Sequence, residues 1–442
     1  MKKKVLSFVI ALMVALMPCT SVFAAQYQPT ETIYAENYML VSLDDKNYPV
    51  VCSKNEKEKV YPASLTKIVT AIVTLNNVDN LDATTVMSKT AYDSLLGTGA
   101  QTANLKVGEQ LTIRQLLYLC MVHSACDACN ILAEYVAGSI DGFVQMMNDW
   151  IKQIGCENTN FTNATGLHDD NHYTTVSDLR LITLAVLQNS TFKEISETLS
   201  YKYNGTTYSN TNLMLNKAFV SYYYEYAKGI KTGSTTEAGY CLITTASKDG
   251  YNYLAIVCNS PRIDYNKDGY IEKCSFIDCA TLFKWAFSSL RYKTVIKKDD
   301  VVCDIPIKNG KNADTLQLVA SQDVSTIVPS SLDSSMVIIR PTEDTIKEAK
   351  APVKKGDVLG KAEIIYADEV VATVDIVAAE TVEVSRLLAI FNAIKQFFSY
   401  TITKVVLICV AAGFICFLVF EFLKRKKQKS IQKQRKMNER NK

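Results

Sequence analysis

The sequence predicts an α+β protein followed by a small all-β domain and a C-terminal membrane helix. Three observations carry this. Apolar residues recur at helical spacing through residues 68–185, with short β-branched and aromatic runs on either side. From about residue 301 that spacing gives way to short alternating runs between polar turns. Near the end, residues 405–420 contain no charge.

The elements follow in order. Met1-Lys2-Lys3-Lys4, an apolar stretch over 5–16 and Val22-Phe23-Ala24 have the layout of a signal peptide over 1–24. Residues 38–43 and 48–52 read as strands joined by the polar turn at 44–47. After Tyr61-Pro62, the run Ile68, Val69, Ala71, Ile72 and Leu75 predicts a helix with Ser64 in its first turn and Lys67 on the same face. Further helices are expected over 113–123, from about 127 to 136, and over 142–154. Ser177-Asp178 is expected to cap the next helix. Residues 227–233 and 240–246 read as paired strands, 253–258 as another, and 281–290 as a closing helix.

The expected domains are 25–295 and a β-rich 296–385. A helical segment over 386–403 either lies on a membrane surface or extends the anchor helix. The span is placed at 404–423 and a basic tail at 424–442. Positive residues beside a span favour the cytoplasmic side. The body is therefore expected outside the cell membrane, with lipid as the partner of the helix. The tail contributes +9 and the three N-terminal lysines +3 to a formal total of +3, which leaves −9 for residues 5–423. The basic pI describes the tail and gives no support for a nucleic-acid partner.

Three stretches carry chemistry: Ser64-Leu65-Thr66-Lys67, Ser124-Ala125-Cys126, and Lys231-Thr232-Gly233-Ser234. A hydroxyl needs a neighbouring base to become a nucleophile, and a desolvated lysine supplies one. In this order and spacing, the set resembles that of penicillin-binding proteins and serine β-lactamases. Pro62 to Ile68, Leu132 to Ser139, Thr165-Gly166-Leu167-His168-Asp169, Asn171 to Thr175 and Gly229 to Gly233 narrow the resemblance. They are similar to the low-molecular-mass serine-type D-alanyl-D-alanine carboxypeptidases, over roughly residues 30–423.

That resemblance implies a β-lactamase/transpeptidase-like domain, an antiparallel sheet flanked by helices, then a β-domain and a membrane helix. It implies a peptidoglycan stem peptide ending in D-Ala-D-Ala as substrate and β-lactams as acylating inhibitors. Ser64 would attack the penultimate carbonyl, Lys67 would take its proton, and Ser124 would relay a proton to the leaving amine. Lys231 and Thr232 would bind the terminal carboxylate, Gly233 would leave room for the substrate, and Ser234 would add an oxyanion N–H to that of Ser64. Lys67 is expected to be lowered by burial and by Lys231. Cys126 stands where the family has an asparagine that holds the lysine and substrate amide. A thiol bonds more weakly, so altered activity is expected.

No cofactor or metal is implied. Cys120, His123, Cys126 and Cys129, placed on one helix, would be spread too widely to converge on one ion. His168 and His172 read as structural. The stretch 264–269 imitates a calcium loop but lacks the closing glutamate, so a solvated hairpin is expected. The alternatives are a serine β-lactamase and a non-catalytic wall-binding protein. Class A lactamases need a general-base glutamate; residues 157–167 fit the carboxypeptidases better. Intact Ser64, Lys67, Ser124 and Lys231 weigh against a scaffold.

Overall fold

The computed structural model of the protein describes residues 27–45, 47–333, 336–399 and 401–440. The expected signal peptide lies outside them. The chain forms two compact units. One gathers the residues up to 295 with 324–338 and 364–373; the other gathers 296–323, 339–363 and 374–442.

In the first unit, β1 (Asn37–Ser42) and β2 (Val50–Lys54) precede a short 3-10 turn, Ala63–Thr66, that runs directly into α1 (Lys67–Asn77). Next come β3 (Thr84–Val86), α2 (Lys89–Asp93), β4 (Gln110–Thr112), α3 (Ile113–Val122), α4 (Cys126–Ala137), α5 (Ile140–Gln153), α6 (Val176–Val186) and α7 (Ser190–Glu197). The hairpin β5 (Ser200–Tyr203) and β6 (Thr206–Ser209) leads to β7 (Ala227–Thr235), β8 (Gly239–Lys248) and β9 (Tyr251–Ser260). The small β10 (Arg262–Ile263) and β11 (Glu272–Lys273) and then α8 (Cys274–Ser289) follow.

The central sheet has the order β2-β1-β9-β8-β7, antiparallel at every pairing. Both its faces are covered, and alternation along each strand sorts the side chains. Leu254, Ile256 and Cys258 of β9 join Met39 and Val41 in the core with α1, α3 and α4. Tyr253, Ala255 and Val257 face the other way, into a cluster with Phe276, Leu282 and Phe283 of α8. Each large apolar side chain so buried contributes about 1.5–3 kcal/mol of transfer free energy.

The caps explain where the helices begin. Thr112 and Gln115 form a reciprocal capping box at α3. Thr175, not Ser177-Asp178, caps α6: its hydroxyl accepts from the Asp178 N–H at 3.1 Å. The last helix starts at Cys274, seven residues before the expected Thr281. The buried polar residues of its first turns, Ser275 and Asp278, mask the periodicity. Asp264 accepts from the N–H groups of Asp268 and Gly269 at 3.0 Å each, in the turn between β10 and β11.

From residue 290 strands dominate: β12 (Leu290–Ile296), β13 (Val301–Lys308), β14 (Thr315–Ala320), β15 (Val324–Pro329), β16 (Ile338–Pro341), β17 (Ala349–Lys350), β18 (Val358–Tyr366) and β19 (Glu369–Ala378). Six of them form one sheet, β16-β18-β19-β14-β13-β17. Ile305, Ile307, Leu316 and Leu318 are buried at every second position, the pattern of a sheet with one covered face. Two helices close the described chain, α9 (Arg386–Ser399) and α10 (Thr401–Arg440). α9 exposes Leu387, Ile390, Phe391 and Ile394. Among the described residues, one helix is long and apolar enough to cross a membrane, and it lies in α10.

Candidate active site

The site is built at the N-terminus of α1. Ser64 sits in the 3-10 turn rather than in the expected first α-helical turn. Ala63 before it has φ 47°, a left-handed backbone that a side chain adopts only under strain. Lys67 begins α1 and is 0% exposed. Its Nζ donates to Ser64 Oγ at 2.8 Å and to the Thr165 carbonyl at 2.5 Å.

The Thr165 carbonyl is aimed by its own loop. Asn163 Oδ1 accepts from Thr165 N at 3.1 Å, from Thr165 Oγ1 at 2.9 Å and from Gly166 N at 2.7 Å. Gly166 has φ 81°, and a Cβ there would lie 1.9 Å from the Ala63 carbonyl oxygen. The loop can therefore lie against the Ser64 turn only with glycine at this position. Thr66 Oγ1 bonds the Ala63 carbonyl at 2.8 Å and meets His172 Nε2 at 2.7 Å. Burial pushes His172 down to about 4, so the ring is neutral near pH 7 and acts as a brace.

The second segment joins α3 to α4. Ser124 and Cys126 are each 4% exposed, and Ser124 has φ 63°. The turn is fixed by Ala125 N donating to the Leu119 carbonyl at 3.1 Å and Cys126 N to the Gln101 carbonyl at 2.8 Å. Cys126 and Lys67 act on each other's charge.

The third segment is the middle of β7. Lys231 is 1% exposed. Its Nζ donates to the Thr232 carbonyl at 3.1 Å and to Thr211 Oγ1 at 3.5 Å, and Thr232 Oγ1 donates to Thr211 Oγ1 at 2.6 Å. A Cβ on Gly233 would lie 2.8 Å from the Pro62 carbonyl oxygen and 3.1 Å from Ser64 N. That absence of a side chain lets β7 lie against the Ser64 turn. Ser234 is exposed, opposite Tyr240.

Lys67 and Lys231 influence one another electrostatically. Burial pushes Lys231 down to about 7, and the charge of Lys67 works the same way. Burial opposes the charge on Lys67 also, but Cys126, Cys129 and Cys120 draw it above the ordinary lysine value. That upward pull requires thiolates. Burial holds the thiols of Cys126 and Cys129 above the usual range, so they are neutral at pH 7 and the pull is absent there. Burial opposes the charge at both lysines, and the larger downward effect falls on Lys231. The expectation that Lys231 lowers Lys67 is thus corrected in emphasis: the marked downward shift falls on Lys231.

The cysteines require a second correction. Cys120 and Cys129 are on different helices, α3 and α4, and their sulfurs lie 3.2 Å apart. The one-helix geometry used against a metal site does not apply. Among the described residues no group of three His, Cys, Asp or Glu is arranged to hold a metal ion. Thr165 and Thr211 are contacts the sequence reading missed. Thr165 reaches Lys67 across 98 residues and Thr211 reaches Lys231 across 20, pairings that only the folded chain makes.

Residues 23–262 match the D-alanyl-D-alanine carboxypeptidase family, and residues 291–384 match the C-terminal domain of penicillin-binding protein 5. The chain is 26% identical to the D-alanyl-D-alanine carboxypeptidase DacF of Bacillus subtilis over 390 residues, 86% of this chain and 94% of that one. It is 34% identical to a Streptomyces D-alanyl-D-alanine carboxypeptidase over 217 residues, 45% of this chain and 72% of that one. The fold is shared with penicillin-binding protein 5 of Haemophilus influenzae, at TM-score 0.60 and 23% identity, covering 81% of this chain and 100% of that one. A Streptomyces DD-transpeptidase superposes at TM-score 0.52 and 29% identity over 58% of this chain and 98% of that one. Variants of that enzyme were solved with a serine, and the cysteine two positions after it, each changed to alanine. Ser124 and Cys126 have the same spacing. This chain belongs to the D-alanyl-D-alanine carboxypeptidase family and is a serine-type carboxypeptidase, a hydrolase of the low-molecular-mass penicillin-binding proteins.

Proposed function

We propose that the protein removes the terminal D-Ala from peptidoglycan stem peptides through an acyl-enzyme on Ser64, outside the cell membrane. The observation that carries this is the Lys67 nitrogen, 2.8 Å from Ser64 Oγ and held by the Thr165 carbonyl. A neutral lysine has two N–H donors and one lone pair. When Lys67 is neutral, one N–H stays on the Thr165 carbonyl and the lone pair turns to the Ser64 hydroxyl, reversing the donation seen in the charged form.

Ser64 Oγ attacks the penultimate carbonyl carbon as its proton passes to Lys67 Nζ. The N–H groups of Ser64 and Ser234 hold the oxyanion, and losing one such donor costs about 10²–10³ in rate. Collapse expels D-alanine, whose amine takes a proton relayed by Ser124. Lys231 and Thr232 hold the terminal carboxylate, and Gly233 lets the substrate lie along β7. Water then frees the acyl group. A β-lactam carbonyl would acylate Ser64 by the same attack. The span within α10 anchors the enzyme to the lipid, with the basic tail inside. Wall synthesis and remodelling are the setting for this chemistry.

The test is intact mass of the full-length protein after penicillin, together with D-Ala release from diacetyl-Lys-D-Ala-D-Ala. The expected result is one adduct and peptide turnover in the wild type, with neither in Ser64→Ala. A wild type that neither acylates nor releases D-Ala would sink the proposal. A second reading is favoured by the serine and cysteine spacing shared with the Streptomyces DD-transpeptidase: transfer of the acyl group to an amine. Adding glycine amide to the peptide reaction separates the two, because transfer yields an amide product and hydrolysis an acid.

A further inference from the structure

Beside Lys67 lies a group of sulfurs that the proposed reaction does not use. Cys120, on the last turn of α3, and Cys129, on the first turn of α4, are both completely buried. Their Sγ atoms are 3.2 Å apart. Cys129 Sγ also donates to the Ala125 carbonyl at 3.2 Å. The hydrogen between the two sulfurs therefore belongs to Cys120. Ala125 is the residue between Ser124 and Cys126, so this dithiol directly supports the turn that presents both.

We propose that Cys120 and Cys129 are a redox pair that closes to a disulfide in the exported chain, and that closure slows acylation of Ser64 by displacing the Ser124–Cys126 turn. An S–S bond is about 2.0 Å long, so the sulfurs must approach by about 1 Å. Cys129 also loses its hydrogen, and with it the bond to the Ala125 carbonyl. That carbonyl keeps the first backbone bond of the helix and loses the thiol that also holds it, so the turn is freer to follow the sulfurs. A displacement of about 1 Å at a reacting constellation costs up to ~10² in rate.

The chemistry is thiol–disulfide exchange with an external disulfide such as oxidised glutathione. The thiolate of one cysteine attacks the external disulfide and expels one thiolate, giving a mixed disulfide. The second cysteine attacks the protein sulfur of that bond and expels the second. Two protein thiols are oxidised, one external disulfide is reduced to two thiols, and both protons go to those thiols. Burial raises the Cys129 thiol well above the usual range. Exchange is therefore slow in the closed native state and fast while the chain is folding or locally open.

The experiment uses the full chain in detergent, unfolded and refolded in either dithiothreitol or oxidised glutathione. Each sample is denatured, alkylated and mapped without reduction, and parallel native samples are mixed with fluorescent penicillin. The expected map shows Cys120 linked to Cys129 in the oxidised sample only. The expected acylation rate in that sample is lower by about tenfold or more. Dithiothreitol restores it. Cys120→Ala acylates at the reduced wild-type rate after refolding in either buffer; Cys129→Ala replaces it if circular dichroism shows Cys120→Ala misfolded.

Absence of the Cys120–Cys129 link overturns the proposal, as does a link formed with no change of rate. Equal sensitivity of the alanine variant to oxidation also overturns it and assigns the effect to another thiol, Cys126 first. The rate readout rests on the proposed role of Ser64, whereas the disulfide map does not. Reduced protein that fails to take up penicillin would therefore count against that role and leave the link to be decided by the map.

Discussion

At the scale of single residues, the site buries two lysines close enough for the charge of one to act on the other. Lys231, pushed down to about 7 by burial, is protonated below that pH and neutral above it. The carboxylate capture proposed for Lys231 needs its protonated form. The sign follows: binding is strongest below pH 7 and weakens as pH rises through it. We expect KM for diacetyl-Lys-D-Ala-D-Ala to rise above pH 7 by up to about tenfold per unit, with a smaller change in kcat. Steady-state kinetics from pH 6 to 9 checks this; a KM flat across that range contradicts it. Ser64, Lys67, Ser124 and Lys231 were legible because each sits in a short stretch of distinctive residue types. Thr165 and Thr211 were not. Thr165 reaches Lys67 over a separation of 98 residues, and only the folded chain brings the two together.

At the scale of elements, the segments meet by close backbone approach. Gly166 and Gly233 both lie against the backbone of the Ser64 turn, and neither position has room for a Cβ. Gly166→Ala combines a positive φ with a clash against backbone. We expect a loss of about 2–5 kcal/mol in stability. The folded fraction should also acylate more slowly, because the Thr165 carbonyl follows the loop. Thermal unfolding and fluorescent-penicillin uptake on the same sample measure both. An unchanged Tm with unchanged uptake would show that the loop yields freely. The strands and long helices were legible from period alone, since the sheet buries two faces and the helices one. Helix beginnings were harder. Thr175, Ser177 and Asp178 are all competent caps, and only the path of the incoming chain decides among them.

At the scale of the whole molecule, the sequence divides by composition more plainly than by period. The change near residue 301 from helical spacing to alternating strands is matched by a change from a helix-covered sheet to a sheet-dominated unit. Removing residues 386–442 should move the protein from the membrane to the soluble fraction while penicillin uptake persists. Fractionation with a carbonate wash, followed by penicillin labelling, tests this. A truncated protein that stays with the membrane would place the attachment elsewhere. The length of α10 has its own consequence. Forty helical residues reach about 60 Å, twice the roughly 30 Å hydrocarbon thickness of a bilayer. With Leu423 at the inner boundary, Lys433, Arg435 and Lys436 stand about 15–20 Å further along the axis. The screening distance in physiological salt is about 8 Å. In the anchored orientation proposed above, the tail would divide by range: Lys424 to Lys427 would lie at the headgroups, and the distal cations would stand clear of them.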